Sequence, residues 1–218
     1  MPRTTKTKQL LYLDQIFGSE DELLKKIKEI SEKKEVLRMQ ISSHEGGLLY
    51  FLAKSIGASK IVEIGSLYCY STIYLARAAK KGPVFTCDIS KERHETSQKI
   101  LQNYPEYKKI KWVTGNCLET LPSLEKEGPF DMVFIDADKE NYGNYLKWAW
   151  RNLRDHGMLV ADNTFLFGSV YGEQERQISP KTIEVMRKFN KELAESPFWI
   201  STLLPTKEGL TVALKQAS

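Results

Sequence analysis

Apolar positions recur along the chain with two different periods. Near the start, "SEDELLKKIKEISEKK" (19–34) places Leu23, Leu24, Ile27 and Ile30 on one helical face. Ser19 and Glu22 stand ahead of that face in capping-box spacing, so the helix is expected to open there. "HEGGLLYFLAKSIGA" (44–58) predicts a second helix that stops near Gly57. From residue 60 short β-branched and apolar runs alternate with helical stretches. "KIVEIG", "PVFTCDIS", "IKWVTGN", "FDMVFIDA" and "MLVADN" predict five strands. The helices between them are expected in "STIYLARAAKKG", ending at Gly82, "KERHETSQKILQNY", "CLETLPSLEKEG" and "NYGNYLKWAWRNLRDHG". Strict alternation and near-continuous apolar strands predict a parallel sheet with helices on both faces. "SPKTIEVMRKFNKELAES" predicts a helix opened by Ser179 and Pro180. "FWISTLLPT" and "GLTVALK", parted by Lys207 and Glu208, suit a hairpin that ends the sheet in an antiparallel edge strand. The expected class is α/β: a doubly wound, mostly parallel seven-stranded sheet with an antiparallel last strand. Residues 1–57 are expected as a helical extension or lid, and 58–218 as the core of the same single domain.

Composition narrows the setting. The 218 residues are 41% hydrophobic and 28% charged, which suits one compact domain with a full core. No apolar run approaches the roughly 20 residues needed to span a bilayer. "MPRTTKTKQLLYLDQIF" lacks the apolar centre and small-residue cleavage site of a signal peptide, so a cytoplasmic location and no membrane partner are expected. Three widely spaced cysteines, Cys69, Cys87 and Cys117, with no CxxC, argue against a disulfide framework or a zinc site. All three fall near the ends of adjacent strands, so thiol reagents are expected to weaken the binding of whatever ligand sits at those ends. The net charge of +4 is mild. The lysines of "KKIKEISEKK" and "YKKIKW" are interleaved with glutamates or apolar residues, as on a solvated face; a basic face for nucleic acid is the other reading.

Ligands of open α/β sheets bind beyond the carboxyl ends of the strands. Those ends carry Glu63-Ile64-Gly65, Asp88, Gly115-Asn116, Asp136 and Asp162-Asn163. Clustered carboxylates repel unless a cation or donor lies between them. In "VEIGSLYCYS", Gly65 lets a ligand approach the backbone, and the helix start near Ser71 suits an anionic group. No G-x-G-x-x-G is present, so the dinucleotide fingerprint fails. Asp88, about 20 residues on, suits a ribose diol. Each feature is common by itself; together they favour a nucleoside-type cofactor. Asp136, Asp162 and Asn163 offer three hard oxygen donors, the type that Mg²⁺ or Ca²⁺ takes. The plainer reading has Asp162-Asn163 capping a loop. Lys139, three residues past Asp136, is either a surface lysine at a helix start or a base whose pKa falls beside a dication.

"VEIGSLYCYS", "FDMVFIDADKENYGNY", "GMLVADNTFLFGSV" and "LPTKEGLTVAL" resemble the cation-dependent class I S-adenosylmethionine O-methyltransferases of the caffeoyl-CoA and catechol type, in order over roughly residues 36–215. The resemblance implies S-adenosylmethionine and Mg²⁺, or another hard divalent cation, as cofactors. It implies Asp136, Asp162 and Asn163 as metal ligands, Lys139 with Asp136 as catalytic residues, and Glu63, Gly65, Ser66, Ser71 and Asp88 around the cofactor. Asp136, Asp138 and Tyr145 occupy family positions near its methionine part, and Cys117 stands where the backbone meets adenine. Met39, Ile41 and Glu45 match a lid segment over the cofactor. A catechol-like small-molecule acceptor, such as a caffeoyl compound or flavonoid, and a homodimer are also implied. The alternative acceptor is a hydroxylated uridine of tRNA. Four positions depart from the family pattern: Cys69 replaces a glycine, Ile41 a threonine, His44 an aspartate, and Phe167 a substrate-facing asparagine. The plant substrate is therefore not carried over. Phe165, Phe167 and Tyr171 in "TFLFGSVYGEQERQI" either wall an aromatic acceptor or pack on their own domain. Trp148 and Trp150 are expected in the core or a subunit contact.

Overall fold

The computed structural model describes residues 8–173 and 177–217. Three helices come first: α1 (Lys8–Phe17), α2 (Glu22–Lys33) and α3 (Ser43–Ser55). Then β1 (Ile61–Ile64), α4 (Tyr70–Ala78), β2 (Val84–Asp88), α5 (Lys91–Leu101), β3 (Ile110–Thr114) and α6 (Cys117–Leu124) alternate. They are followed by β4 (Phe130–Ile135), α7 (Tyr142–Asn152), β5 (Leu153–Asp162), α8 (Pro180–Glu195), β6 (Trp199–Leu204) and β7 (Leu210–Lys215). The seven strands form one sheet in the order β3-β2-β1-β4-β5-β7-β6. Strands β1 to β5 run parallel, and β7 pairs antiparallel with both β5 and β6.

Both faces are covered, which is why the strands read as unbroken apolar runs. Ile61, Met132, Phe134, Met158 and Val160 join one core with side chains of α2 to α5. Val62, Val133, Ile135, Leu159 and Ala161 alternate to the opposite core with α6, α7 and α8. The N-terminal helices α2 and α3 thus complete the same layer as α4 and α5. Helix α1 buries no residue fully. It is tied down through Asp14 Oδ1, which accepts from Ser43 Oγ at 3.1 Å and lies 2.7 Å from His44 Nδ1 at the start of α3. No helix among the described residues is long and apolar enough to cross a membrane.

Four expectations change. Helix α2 starts at Glu22 with Asp21 as its cap, accepting from Leu24 N at 3.1 Å, so Ser19 and Glu22 do not form the cap. The capping box lies instead at Ser42 and Glu45, ahead of α3. Helix α4 ends at Ala78, short of Gly82. Helix α7 stops at Asn152, because Leu153 pairs with Phe130 of β4; a register shift then carries the pairing to Met158 opposite Met132. Finally, the antiparallel strand β7 lies inside the sheet, and β6 is the edge.

Candidate active site

The order of the strands reverses between β1 and β4, and a crevice opens at such a switch point. Gly65 follows β1 there with φ +92°. A Cβ on Gly65 would lie 2.2 Å from the Asp136 carbonyl oxygen, so glycine is what lets the ends of β1 and β4 meet. The loop continues through Leu67 and Cys69, both at positive φ (50° and 68°). Cys69 caps α4 in this left-handed conformation, which explains physically why a glycine is at home in that position.

Asp88 ends β2 and is buried under this loop. Its Oδ2 accepts from Leu67 N at 2.9 Å and Ser66 N at 3.3 Å, and its Oδ1 accepts from Ser90 N at 2.8 Å. The Arg93 guanidinium also lies 3.6 Å from Asp88 Oδ1. Glu63, inside β1, is fully enclosed. Ser71 and Thr86 donate to it at 2.5 and 2.6 Å, and Thr72 donates as well. It holds the start of α4 against the sheet through these three hydroxyls. Burial pushes its carboxyl up to about 7, against the three hydroxyls that favour the ionised form.

Because Glu63 binds its proton more tightly folded than unfolded, its contribution is most favourable below the unfolded value and is lost as pH rises through 7. Conversion of the shift from 4.5 to about 7 gives a loss of about 3 kcal/mol across that window. Glu63→Gln is expected to flatten the fall in Tm between pH 5 and pH 8. Parallel Tm profiles for the variant and the parent would show that Glu63 is not the group responsible.

The opposite lip is built from β4, α7 and β5. Asp136 follows Ile135, and Asp162 ends the neighbouring strand, with Ile135 opposite Ala161. Lys139 Nζ donates to Asp136 Oδ1 at 3.1 Å and to the Tyr142 hydroxyl at 2.5 Å. The Tyr142 hydroxyl donates in turn to the Asp162 carbonyl at 2.8 Å. Asn163 adopts φ +66°, and its Oδ1 is buried without a hydrogen-bond partner among the described residues. Asp138 Oδ1 accepts from the Tyr145 hydroxyl at 2.6 Å. No cluster of three or more His, Cys, Asp or Glu among the described residues could hold a metal ion. The candidate set has two carboxylates and an amide, and the unpartnered amide oxygen beside Asp162 fits a hard cation.

The remaining candidates scatter more widely. Cys117 opens α6 beyond β3, and Ile41 is buried in the core that contains Tyr68 and Cys69, whereas Met39 is exposed. Phe165 and Tyr171 stack edge to face at 5.5 Å, with Tyr171 exposed. Phe167 is buried. Gln174, Glu175 and Arg176 of that loop lie outside the described residues. Trp148 packs on Phe130 in the core, and Trp150 packs on Phe198 and Trp199 beside β6. All three thiols are buried, and burial pushes Cys69 and Cys117 up to about 12, so they are poor nucleophiles in the folded chain.

The O-methyltransferase family model matches residues 14–216, nearly the whole chain. This chain belongs to the O-methyltransferase family. As a class I S-adenosylmethionine-dependent O-methyltransferase, it is 37% identical over 165 residues to the catechol O-methyltransferase of Mycobacterium tuberculosis, covering 75% of this chain and 74% of the relative. It is 33% identical over 205 residues to caffeoyl-CoA O-methyltransferase 1 of Eucalyptus globulus, covering 90% and 83%. Among solved structures, the O-methyltransferase TomG from Streptomyces achromogenes, in complex with S-adenosylmethionine, matches with a TM-score of 0.86. Its sequence is 28% identical, and the match covers 97% of this chain and all of the other. The seven-stranded sheet of this O-methyltransferase and its reversed last strand are those expected from the sequence.

Proposed function

We propose that this O-methyltransferase acts on one hydroxyl of a catechol-type vicinal diol and does so with a hard divalent cation, Mg²⁺ by donor type. The observation that carries the proposal is the linked set at the ends of β4 and β5. Lys139 is held between Asp136 and Tyr142, Tyr142 is tied to Asp162, and Asn163 carries the unpartnered amide oxygen. Asp136, Asp162 and Asn163 would hold the ion. A bound ion supplies Lewis acidity, which lowers the pKa of a hydroxyl it touches.

The rest falls to the chain. S-adenosylmethionine lies against the loop 65–71, with Asp88 beneath its ribose and the Asp138–Tyr145 pair at its methionine end. Lys139 Nζ takes the proton of the reacting hydroxyl and orients the oxygen. The oxygen's electron pair forms the new O–CH₃ bond as the C–S bond breaks, and its electrons pass to sulfur to leave S-adenosylhomocysteine. Holding the two reactants in line can supply on the order of 7–11 kcal/mol of the barrier. Phe165 and Tyr171 flank the acceptor, and the names of the catechol and caffeoyl-CoA relatives support an aromatic diol.

A methyl-transfer screen of caffeate, caffeoyl-CoA, flavonoids, simple catechols and undermodified tRNA, each with Mg²⁺ or EDTA, tests the proposal. Transfer is expected only to vicinal diols and only with the cation. Undiminished transfer in EDTA would remove the metal, and salt-sensitive transfer confined to tRNA would replace the small-molecule acceptor.

A further inference from the structure

His94 is buried in α5 and belongs to none of the groups assigned above. Its Nε2 lies 3.2 Å from Ser66 Oγ, in the loop after β1. Its Nδ1 lies 2.7 Å from Thr114 Oγ1, at the end of β3. Trp112 meets the ring edge to face at 5.1 Å and fixes its plane. One imidazole therefore links the loop after β1 to the end of β3, the two strands on either side of β2. Asp88, at the end of β2, holds the amides of Ser66 and Leu67. Serine and threonine hydroxyls both donate and accept, so a neutral ring satisfies the bridge in either tautomer. Burial also favours the neutral ring, overcoming the opposing pull of Asp88.

We infer that His94 is a positioning residue for S-adenosylmethionine: by bridging Ser66 and Thr114 it sets the loop that carries Gly65 to Ser71 before the cofactor arrives. The inference rests on the reading that the cofactor lies against that loop. The reasoning is one of pre-organisation. The loop runs through Leu67 and Cys69 at positive φ, conformations that persist in non-glycine residues only when the surroundings hold them. Asp88 holds the loop by its backbone, and His94 is the side-chain hold on Ser66. Without the bridge the loop would have to be ordered at the moment of binding, which weakens affinity without touching the methyl-transfer step. The effect should therefore fall on one substrate and on KM.

The test is calorimetry of S-adenosylhomocysteine binding with steady-state kinetics on the full chain. His94→Leu is expected to weaken S-adenosylhomocysteine binding and raise the KM for S-adenosylmethionine about tenfold, as loss of two hydrogen bonds would. The kcat and the KM for the acceptor should stay at parental values. Thr114→Val, a milder change on a more open site, should move cofactor affinity in the same direction. The double variant should be no worse than His94→Leu alone, since both break one bridge. His94→Gln, with a donor and an acceptor of its own, should recover part of the loss. Parental affinity in both His94→Leu and Thr114→Val would overturn the inference; should His94→Leu not fold, Thr114→Val decides alone. Asp88→Asn separates the two levels. If it binds the cofactor as the parent does, the placement of the cofactor is wrong; if it binds weakly while the bridge variants bind normally, only the role of His94 is wrong.

Discussion

Asp162→Ala is expected to lower kcat about a thousandfold, abolish the response to Mg²⁺ and leave S-adenosylmethionine binding intact. A bound ion contributes several kcal/mol of charge stabilisation, and each 1.36 kcal/mol is tenfold in rate. Asp162 is fully buried at the end of β5, one residue before the unpartnered amide of Asn163. Removing its carboxylate leaves Asp136 and Asn163 as the only remaining donors of the proposed set. The loop after β1, proposed to carry the cofactor, contributes none of these donors. Calorimetric titration of Mg²⁺ into the variant reads the site directly, apart from any activity. Asp162→Asn keeps the volume and guards against a packing artefact. A variant that binds Mg²⁺ like the parent, or that turns over normally in EDTA, would sink the assignment.

Gly65→Ala is expected to cost about 2–6 kcal/mol and with it most of the cofactor affinity. Two effects add. An alanine at φ +92° carries backbone strain of about 1–3 kcal/mol. Its Cβ would also meet the Asp136 carbonyl at 2.2 Å and the Asp136 carbonyl carbon at 2.8 Å. These are main-chain atoms, so no rotamer relieves the contact, and overpacking of this kind costs about 1–3 kcal/mol more. The ends of β1 and β4 must then part, and the loop after β1 moves away from the Asp136–Lys139 segment. A scanning measurement should show a Tm lower by about 10 °C, and calorimetry should show weakened S-adenosylhomocysteine binding. An unchanged Tm with unchanged binding would mean that this close approach is not what shapes the site.

The sheet was legible because its signals are local. Burial on both faces makes β1, β2, β4 and the second half of β5 read as largely apolar runs, with polar residues following at one edge of the sheet. Asp88, Asp136 and Asp162 could be found by that rule alone. Boundaries set by distant partners were not legible. "RNLRDHG" has a helical composition, yet Leu153 turns extended because Phe130 of β4 offers it a pairing partner. Asp21 takes the cap that the spacing of Ser19 and Glu22 predicted for them, and it also pairs with Arg77 of α4 at 2.6 Å, a contact 56 residues away. His94 carried no signal, since a single histidine in "KERHETSQKI" is indistinguishable from a surface one until α5 is docked. The enclosure of Glu63 was equally hidden, because Ser71, Thr72 and Thr86 reach it from α4 and β2.

The placement of β7 has a consequence for how the molecule comes to exist. Asp162 sits on a strand whose outer neighbour is β7, with Asp162 opposite Leu210, and the turn before β7 clamps the next residues: Thr164 N donates to Gly209 O at 3.1 Å and Phe165 N to Glu208 O at 2.8 Å. Strands β1 to β5 are all made before β7. Until β7 leaves the ribosome, one flank of β5, which carries the Asp162–Asn163 corner, is an open edge that can pair with another chain. A nascent chain arrested before β7 should therefore be the species most prone to aggregate.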